Sequence, residues 1–173
     1  MLHPRKNITN LLKAFEEFRS NQDSPVKLLI VGHRKWWTAE MEAVYQAMHF
    51  RDEVVFTGRL PIEDLAALTA SALACTYVSY FEGFGVPIIE SMKAGVPVIT
   101  SNVTSMPEVA AGAALLIDPF NHQSIASAMA SIYRDEQLRK RLIEQGLIRS
   151  RDFSWEKTAN LLWLSIESVL RSR

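Results

Sequence analysis

A chain of 173 residues has the length of one domain, and its 48% hydrophobic and 22% charged content fits a globular fold. Nineteen basic side chains balance nineteen acidic ones, so the formal net charge is zero, which argues against wholesale electrostatic binding to nucleic acid or to an anionic membrane. The single cysteine, Cys75, excludes an intrachain disulfide and a cysteine-rich metal site; no apolar run approaches the ~18 residues that a bilayer span needs, and Met1 to Asn7 does not read as a signal peptide, so the expected compartment is the cytoplasm.

Short β-branched runs alternate with longer helical periods, the pattern of a parallel sheet covered by helices. Ile8, Leu11, Leu12, Phe15 and Phe18 share one helical face. Val26 to Val31, after Pro25, reads as a strand ended by Gly32, and Thr38 to Met48 as a helix with Met41, Val44, Tyr45 and Met48 on its buried stripe. Val54 to Thr57 is a second strand ended by Gly58, and Pro61 opens a helix that runs to about Ala70. Leu73 to Ser79 and Val96 to Thr100 are the third and fourth strands, flanking a glycine turn and a helix that carries Ile88, Ile89, Met92 and Ala94. Ala114 to Ile117 is a short last strand, followed by helices over Ser124 to Tyr133, Glu136 to Ile148 and Ser154 to about Leu170, with Ser154 as N-cap. The fold class expected is α/β, a Rossmann-like doubly wound parallel sheet with helices on both faces. No strand precedes the opening Pro4-Arg5-Lys6-Asn7 turn, although the first strand of such a sheet is usually central. The first strand is therefore expected to be missing, and the chain to be a piece of a longer one.

The densest chemical signal is Glu82-Gly83-Phe84-Gly85-Val86-Pro87-Ile88-Ile89-Glu90. Gly83 and Gly85 permit unusual backbone angles and close ligand approach, and Pro87 presets the first helical turn. The amides of Phe84, Gly85 and Val86 are then expected to point outward at a helix N-terminus, a site suited to a diphosphate. Glu90, about one turn into the helix, can accept hydrogen bonds from a ribose diol. Glu82, at the carboxyl end of a strand, can accept them from sugar hydroxyls, on the far side of the diphosphate from Glu90. On spacing alone, a glycine turn with chance acids on a solvated face is an equally good account.

Pro4-Arg5-Lys6-Asn7, Val31-Gly32, Thr57-Gly58-Arg59, Glu82 to Glu90, Lys93 to Ile99 and Ser105-Met106-Pro107-Glu108 occur in the order seen in family 4 glycosyltransferases. The chain resembles, over essentially its whole length, the C-terminal domain of their GT-B fold. The resemblance implies that residues 1–173 form the donor-binding domain, without the N-terminal acceptor-binding domain. It implies that Lys6 and Arg5 bind the donor diphosphate, Arg5 standing in for an arginine that family members carry just before the lysine loop. It further implies that Glu82 holds the transferred sugar as the catalytic carboxylate and that the backbone at Phe84, Gly85 and Val86 holds the distal phosphate. Glu90 would hold the ribose, and Gly58, Arg59 and Leu60 would border the base, with Gly32 and Gly83 as donor-site glycines. The substrate would be a nucleoside diphosphate sugar, transferred with retention of configuration to a saccharide or lipid-linked acceptor, with no cofactor and no metal. A guanine base and a mannosyl group are the family-based guess.

Other signals are discounted. His3, His33, His49 and His122 lack metal-ligand spacing. Trp36-Trp37 is expected to pack its loop rather than touch a base, and Cys75 to be a small core residue. Asn7-Ile8-Thr9 and Asn102-Val103-Thr104 match the glycosylation pattern by coincidence, and no Gly-x-Ser-x-Gly elbow supports a hydrolase. Arg139-Lys140-Arg141 reads as a solvated helix face, with a peripheral role at the inner membrane face left open. The rival from another class is a nucleotide-binding module that never catalyses; an epimerase or phosphorylase is weaker, because no pyridoxal lysine motif is found.

Overall fold

The computed structural model describes residues 2–171. After a 3-10 turn at Pro4–Lys6 come α1 (Ile8–Ser20), β1 (Leu28–Val31), α2 (Ala39–Ala47), a second 3-10 turn, β2 (Val54–Gly58) and α3 (Ile62–Ala70). Then follow β3 (Cys75–Tyr77), α4 (Val86–Lys93), β4 (Val98–Ser101), α5 (Met106–Ala110) and β5 (Leu115–Ile117). Three helices complete the chain, α6 (His122–Arg134), α7 (Glu136–Ser150) and α8 (Trp155–Arg171). The expected order of elements holds. The strands are shorter than their apolar runs because Val26, Leu73 and Val96 find no ladder partner, and α5 has no expected counterpart, since its five residues, Met-Pro-Glu-Val-Ala, are too few for a helical period.

All strand pairs are parallel: β1 beside β2, with Leu28 opposite Val54, and β3–β4–β5, with Cys75 opposite Val98 and Ile99 opposite Leu115. Strand β4 is buried throughout, so its side chains must serve two faces. Val98 joins one core with Ile88, Met92, Met106 and Val109, while Ile99 joins another with Leu12, Phe15, Ile125 and Ile132. Helices therefore cover both faces, α4 and α5 on one and α1 and α6 on the other. Burial drives this arrangement, at about 1.5–3 kcal/mol for each large side chain removed from water. Leu11, Leu12, Phe15 and Phe18 form the buried stripe of α1 that the sequence pattern predicts.

The ladder is nevertheless in two pieces. No bridge joins β1 to β3 among the described residues; residues of both strands line one apolar cleft of about 730 Å³, roofed by Leu65 and Leu68 of α3. That is where the strand order of a doubly wound sheet puts its central strand, next to the place where connections change direction. Leu2 is buried at this cleft and its amide donates to the His33 carbonyl at 2.9 Å, just beyond β1. Cys75, expected in the core, is instead only partly covered and lines the cleft.

At the far end, α8 starts where expected, with the Ser154 hydroxyl accepting from the Lys157 amide. Its apolar face is exposed among the described residues: Trp155, Leu162, Trp163 and Ile166 are open to solvent and no described residue of the helix is buried. No helix among the described residues is long and apolar enough to cross a membrane.

Candidate functional site

The loop of residues 4–7 lies across the carboxyl ends of the strands, held there by buried polar contacts. Asn7 is buried in a left-handed conformation at φ 60°, and its side-chain amide donates to the carbonyls of Val78 and Pro119 at 2.9 and 2.7 Å. The Tyr80 amide donates to the Arg5 carbonyl at 2.9 Å, and the Arg5 guanidinium to the Phe81 carbonyl at 2.6 Å. The loop thus joins the end of β3 to the end of β5. Asn7, read in the sequence only as a turn residue and an unused glycosylation match, is its anchor. An asparagine beside a lysine carries no signal of such a role; only long-range packing gives it one.

This anchoring brings Arg5 and Lys6 onto Glu82. The Lys6 Nζ lies 2.7 Å from Glu82 Oε1, and an Arg5 guanidinium nitrogen lies 2.5 Å from Oε2. Burial by itself would raise the Glu82 pKa, but hydrogen bonds from Lys6 and then Arg5 outweigh it and hold the carboxyl at about 2. Glu82 is therefore charged at neutral pH. The backbone on either side is fixed as well: the Glu82 amide donates to the Thr104 hydroxyl at 3.3 Å, and Ser105 donates to the carbonyls of Glu82 and Phe84 at 2.8 and 3.0 Å. Thr104 is itself left-handed at φ 56°, which turns that loop back toward Glu82. Nothing local in the sequence marks Thr104 as a contact, and Ser105 enters only through the family resemblance.

The glycine turn does what its spacing predicts. Gly85 is left-handed at φ 104° and caps α4, which begins at Val86 with Pro87 in its first turn. The amides of Phe84, Gly85 and Val86 donate to no acceptor among the described residues, so this end of α4 presents unpaired N–H groups and the positive end of the helix dipole. Glu90, exposed on α4, shares the cleft lining with Lys6, Tyr77 and Pro87. Gly58, Arg59 and Leu60 follow β2, and Gly58 accepts the Gly32 amide at 2.7 Å. These last four residues lie at the carboxyl ends of the other sheet, and no hydrogen bond ties them to the Arg5–Lys6–Glu82 cluster. Gly83 borders open space.

Glu82, expected on the far side of the diphosphate from Glu90, pairs with both cations. Its carboxylate is in direct contact with the two side chains assigned to the diphosphate. Tyr77, at the end of β3, was missed altogether: its hydroxyl accepts from Lys6 Nζ at 2.6 Å. Burial first, then the neighbouring Glu82 carboxylate, push its phenol well above the ordinary range, so it keeps its proton.

The discounted side chains divide. Trp37 packs edge-on against Tyr45 and Phe56 with its indole N–H on Glu42, whereas Trp36 is half exposed beside His3. His49 and His122 lie 3.1 and 3.4 Å from Glu16 and Glu17. Arg139 is not merely solvated, since it donates to the Ile132 and Tyr133 carbonyls at the end of α6. Among the described residues no group of three or more His, Cys, Asp or Glu side chains is placed to hold a metal ion.

Comparison with known proteins now decides the family. Residues 1–149 match the family described as glycosyl transferases group 1. The chain belongs to it. Over 155 residues, 90% of the chain and 41% of the relative, it is 36% identical to the O-antigen chain mannosyltransferase B of Escherichia coli. Sucrose-phosphate synthase from Thermosynechococcus elongatus superposes with a TM-score of 0.83 at 27% identity, over 98% of this chain and 44% of that one. Anabaena HepE, solved in complex with UDP-glucose, superposes at 0.85 with 20% identity, over 97% and 47%. This chain thus spans less than half the length of each of these relatives, and the fold it shares with them is one half of a GT-B architecture.

Proposed function

We propose that this chain is the donor-binding half of a glycosyltransferase, taking a nucleoside diphosphate sugar at the carboxyl ends of its strands. The observation that carries the reading is the convergence of Arg5 and Lys6 on Glu82 within a few residues of the unpaired amides that open α4. Two cations and a helix N-terminus form an anion site for a diphosphate. Such groups are preorganised where negative charge grows as the sugar–phosphate bond breaks, so they stabilise the departing diphosphate without reorganisation of water. Phe84, Gly85 and Val86 supply backbone donors, Glu90 accepts from the ribose, and Gly58 to Leu60 border the base. Glu82 faces the transferred sugar, with retention of configuration and without a metal. Mannose is the sugar favoured by the names of the Escherichia coli relatives.

The acceptor, saccharide or lipid-linked, would be held by a separate N-terminal domain of a longer polypeptide, at the cytoplasmic side of a membrane. The exposed apolar face of α8 and the cleft between β1 and β3 are the two surfaces suited to pack against that remainder. The isolated 173-residue chain is accordingly expected to bind donor and to transfer nothing; sugar transfer by the pure chain would overturn this division of labour.

Calorimetric titration with guanosine, uridine and adenosine diphosphates tests the site. One of the three should bind, and Lys6→Met should weaken it by about 10- to 100-fold, as expected for the loss of a charge-assisted contact to phosphate. Absence of binding by all three would sink the donor-site reading and leave a family member without its ligand.

A further inference from the structure

We infer that Tyr77 is a positioning residue that aims Lys6 at the diphosphate, an inference that rests on the donor-site reading above. A lysine on a loop is a poor anion ligand unless its four-carbon stem is held, because binding then has to offset the lost rotamer freedom. Tyr77 holds it twice. The hydroxyl accepts a hydrogen bond from Nζ at 2.6 Å, and the same ammonium lies 4.6 Å from the centre of the Tyr77 ring. An ammonium has three donors. One goes to Tyr77 and one to Glu82 Oε1 at 2.7 Å, and no third acceptor among the described residues contacts Nζ, whose side chain keeps 26% of its surface exposed. With two N–H bonds fixed in direction, the third is fixed too, and it is the one left for a ligand oxygen.

The strand gives Tyr77 the rigidity that the loop lacks. Its backbone pairs with Thr100 in the β3–β4 ladder, and the Thr100 hydroxyl donates to its carbonyl at 2.8 Å. The phenol keeps its own proton, and its oxygen accepts from the cation. Lys6 therefore bridges Tyr77 and Glu82 and keeps a third donor. A tyrosine present only to pack against the β3–β4 core would have no need of this hydroxyl.

A double-mutant cycle on the 173-residue chain separates the two roles. Guanosine, uridine and adenosine diphosphates are titrated into the wild type, Tyr77→Phe, Tyr77→Leu, Lys6→Met and the two double variants, with thermal unfolding recorded for each. Tyr77→Phe, which keeps the ring and loses the hydroxyl, should weaken nucleotide binding by about tenfold, and Tyr77→Leu by more. In the Lys6→Met background both tyrosine substitutions should be silent toward binding, whatever they do to the unfolding temperature. Unchanged affinity in Tyr77→Phe, or the same loss with and without Lys6, would overturn the inference while leaving the donor site in place. A wild type that binds neither guanosine nor uridine diphosphate, while adenosine diphosphate binds and obeys the same cycle, would support it with a different base. No binding by any of the three would overturn the donor site and this inference together.

Discussion

Replacing Glu82 by glutamine removes one charge from a cluster of three and keeps the shape of the side chain. In the folded chain the Glu82 carboxyl titrates at about 2 rather than 4.5, because Lys6 and Arg5 outweigh the effect of burial. At about 1.4 kcal/mol for each tenfold change in proton affinity, the upper limit of the ionised form's contribution is roughly 3 kcal/mol. Arg5 is 39% exposed, so solvent screens its share and a range of about 1–3 kcal/mol is reasonable. The sign follows from the depressed value. The contribution is complete above about pH 4.5, the unfolded-state value, and is lost as pH falls toward 2. Glu82→Gln should therefore lower stability at pH 7, reducing the unfolding temperature by roughly 2–10 °C for a domain of this size. The gap between variant and wild type should narrow from about pH 5 downward. Urea unfolding at a series of pH values between 7 and 3.5 measures it directly. A gap independent of pH would mean that the loss does not arise from the Glu82 charge, and no gap at any pH would mean that the charge cluster adds nothing to stability.

Four further outcomes are expected. Glu82→Ala should weaken a nucleoside diphosphate sugar more than the bare diphosphate in calorimetry; equal weakening would assign Glu82 to the cations it touches rather than to the sugar. Glu90→Ala should weaken nucleotide binding and Glu90→Gln less, since the amide keeps one acceptor, and unchanged affinity in both would remove Glu90 from the site. Gly85→Ala places a Cβ 3.0 Å from Ile88 Cδ1 in a left-handed residue, and should cost about 1–3 kcal/mol in denaturant unfolding; a neutral result would show that the turn relaxes freely. Leu162→Ser in the middle of α8 should change unfolding free energy by less than about 0.5 kcal/mol, because the Leu162 side chain is exposed. A large loss would show that the apolar face of α8 is covered in solution.

Local periodicity is enough to write most of this fold from the sequence. The stripe of Leu11, Leu12, Phe15 and Phe18, the β-branched runs and the Gly85-Val86-Pro87 helix start each depend on residues within one or two turns of one another, and all appear where the pattern puts them. The glycine turn as the start of α4 is local in the same sense, since φ at Gly85 and the unpaired amides beside it follow from three neighbouring residues. Tertiary structure alone decides what gathers around it. Lys6 and Glu82 are separated by 76 positions, and their contact depends on Asn7 reaching the ends of β3 and β5, an interaction with no local pattern. Tyr77 reads in sequence as one more aromatic in a strand, and becomes a partner of Lys6 only because the strand ends under the loop. The split of the sheet is likewise non-local. Each strand forms from its own residues, but whether two strands share a ladder depends on what lies between them, and between β1 and β3 lies an apolar cleft.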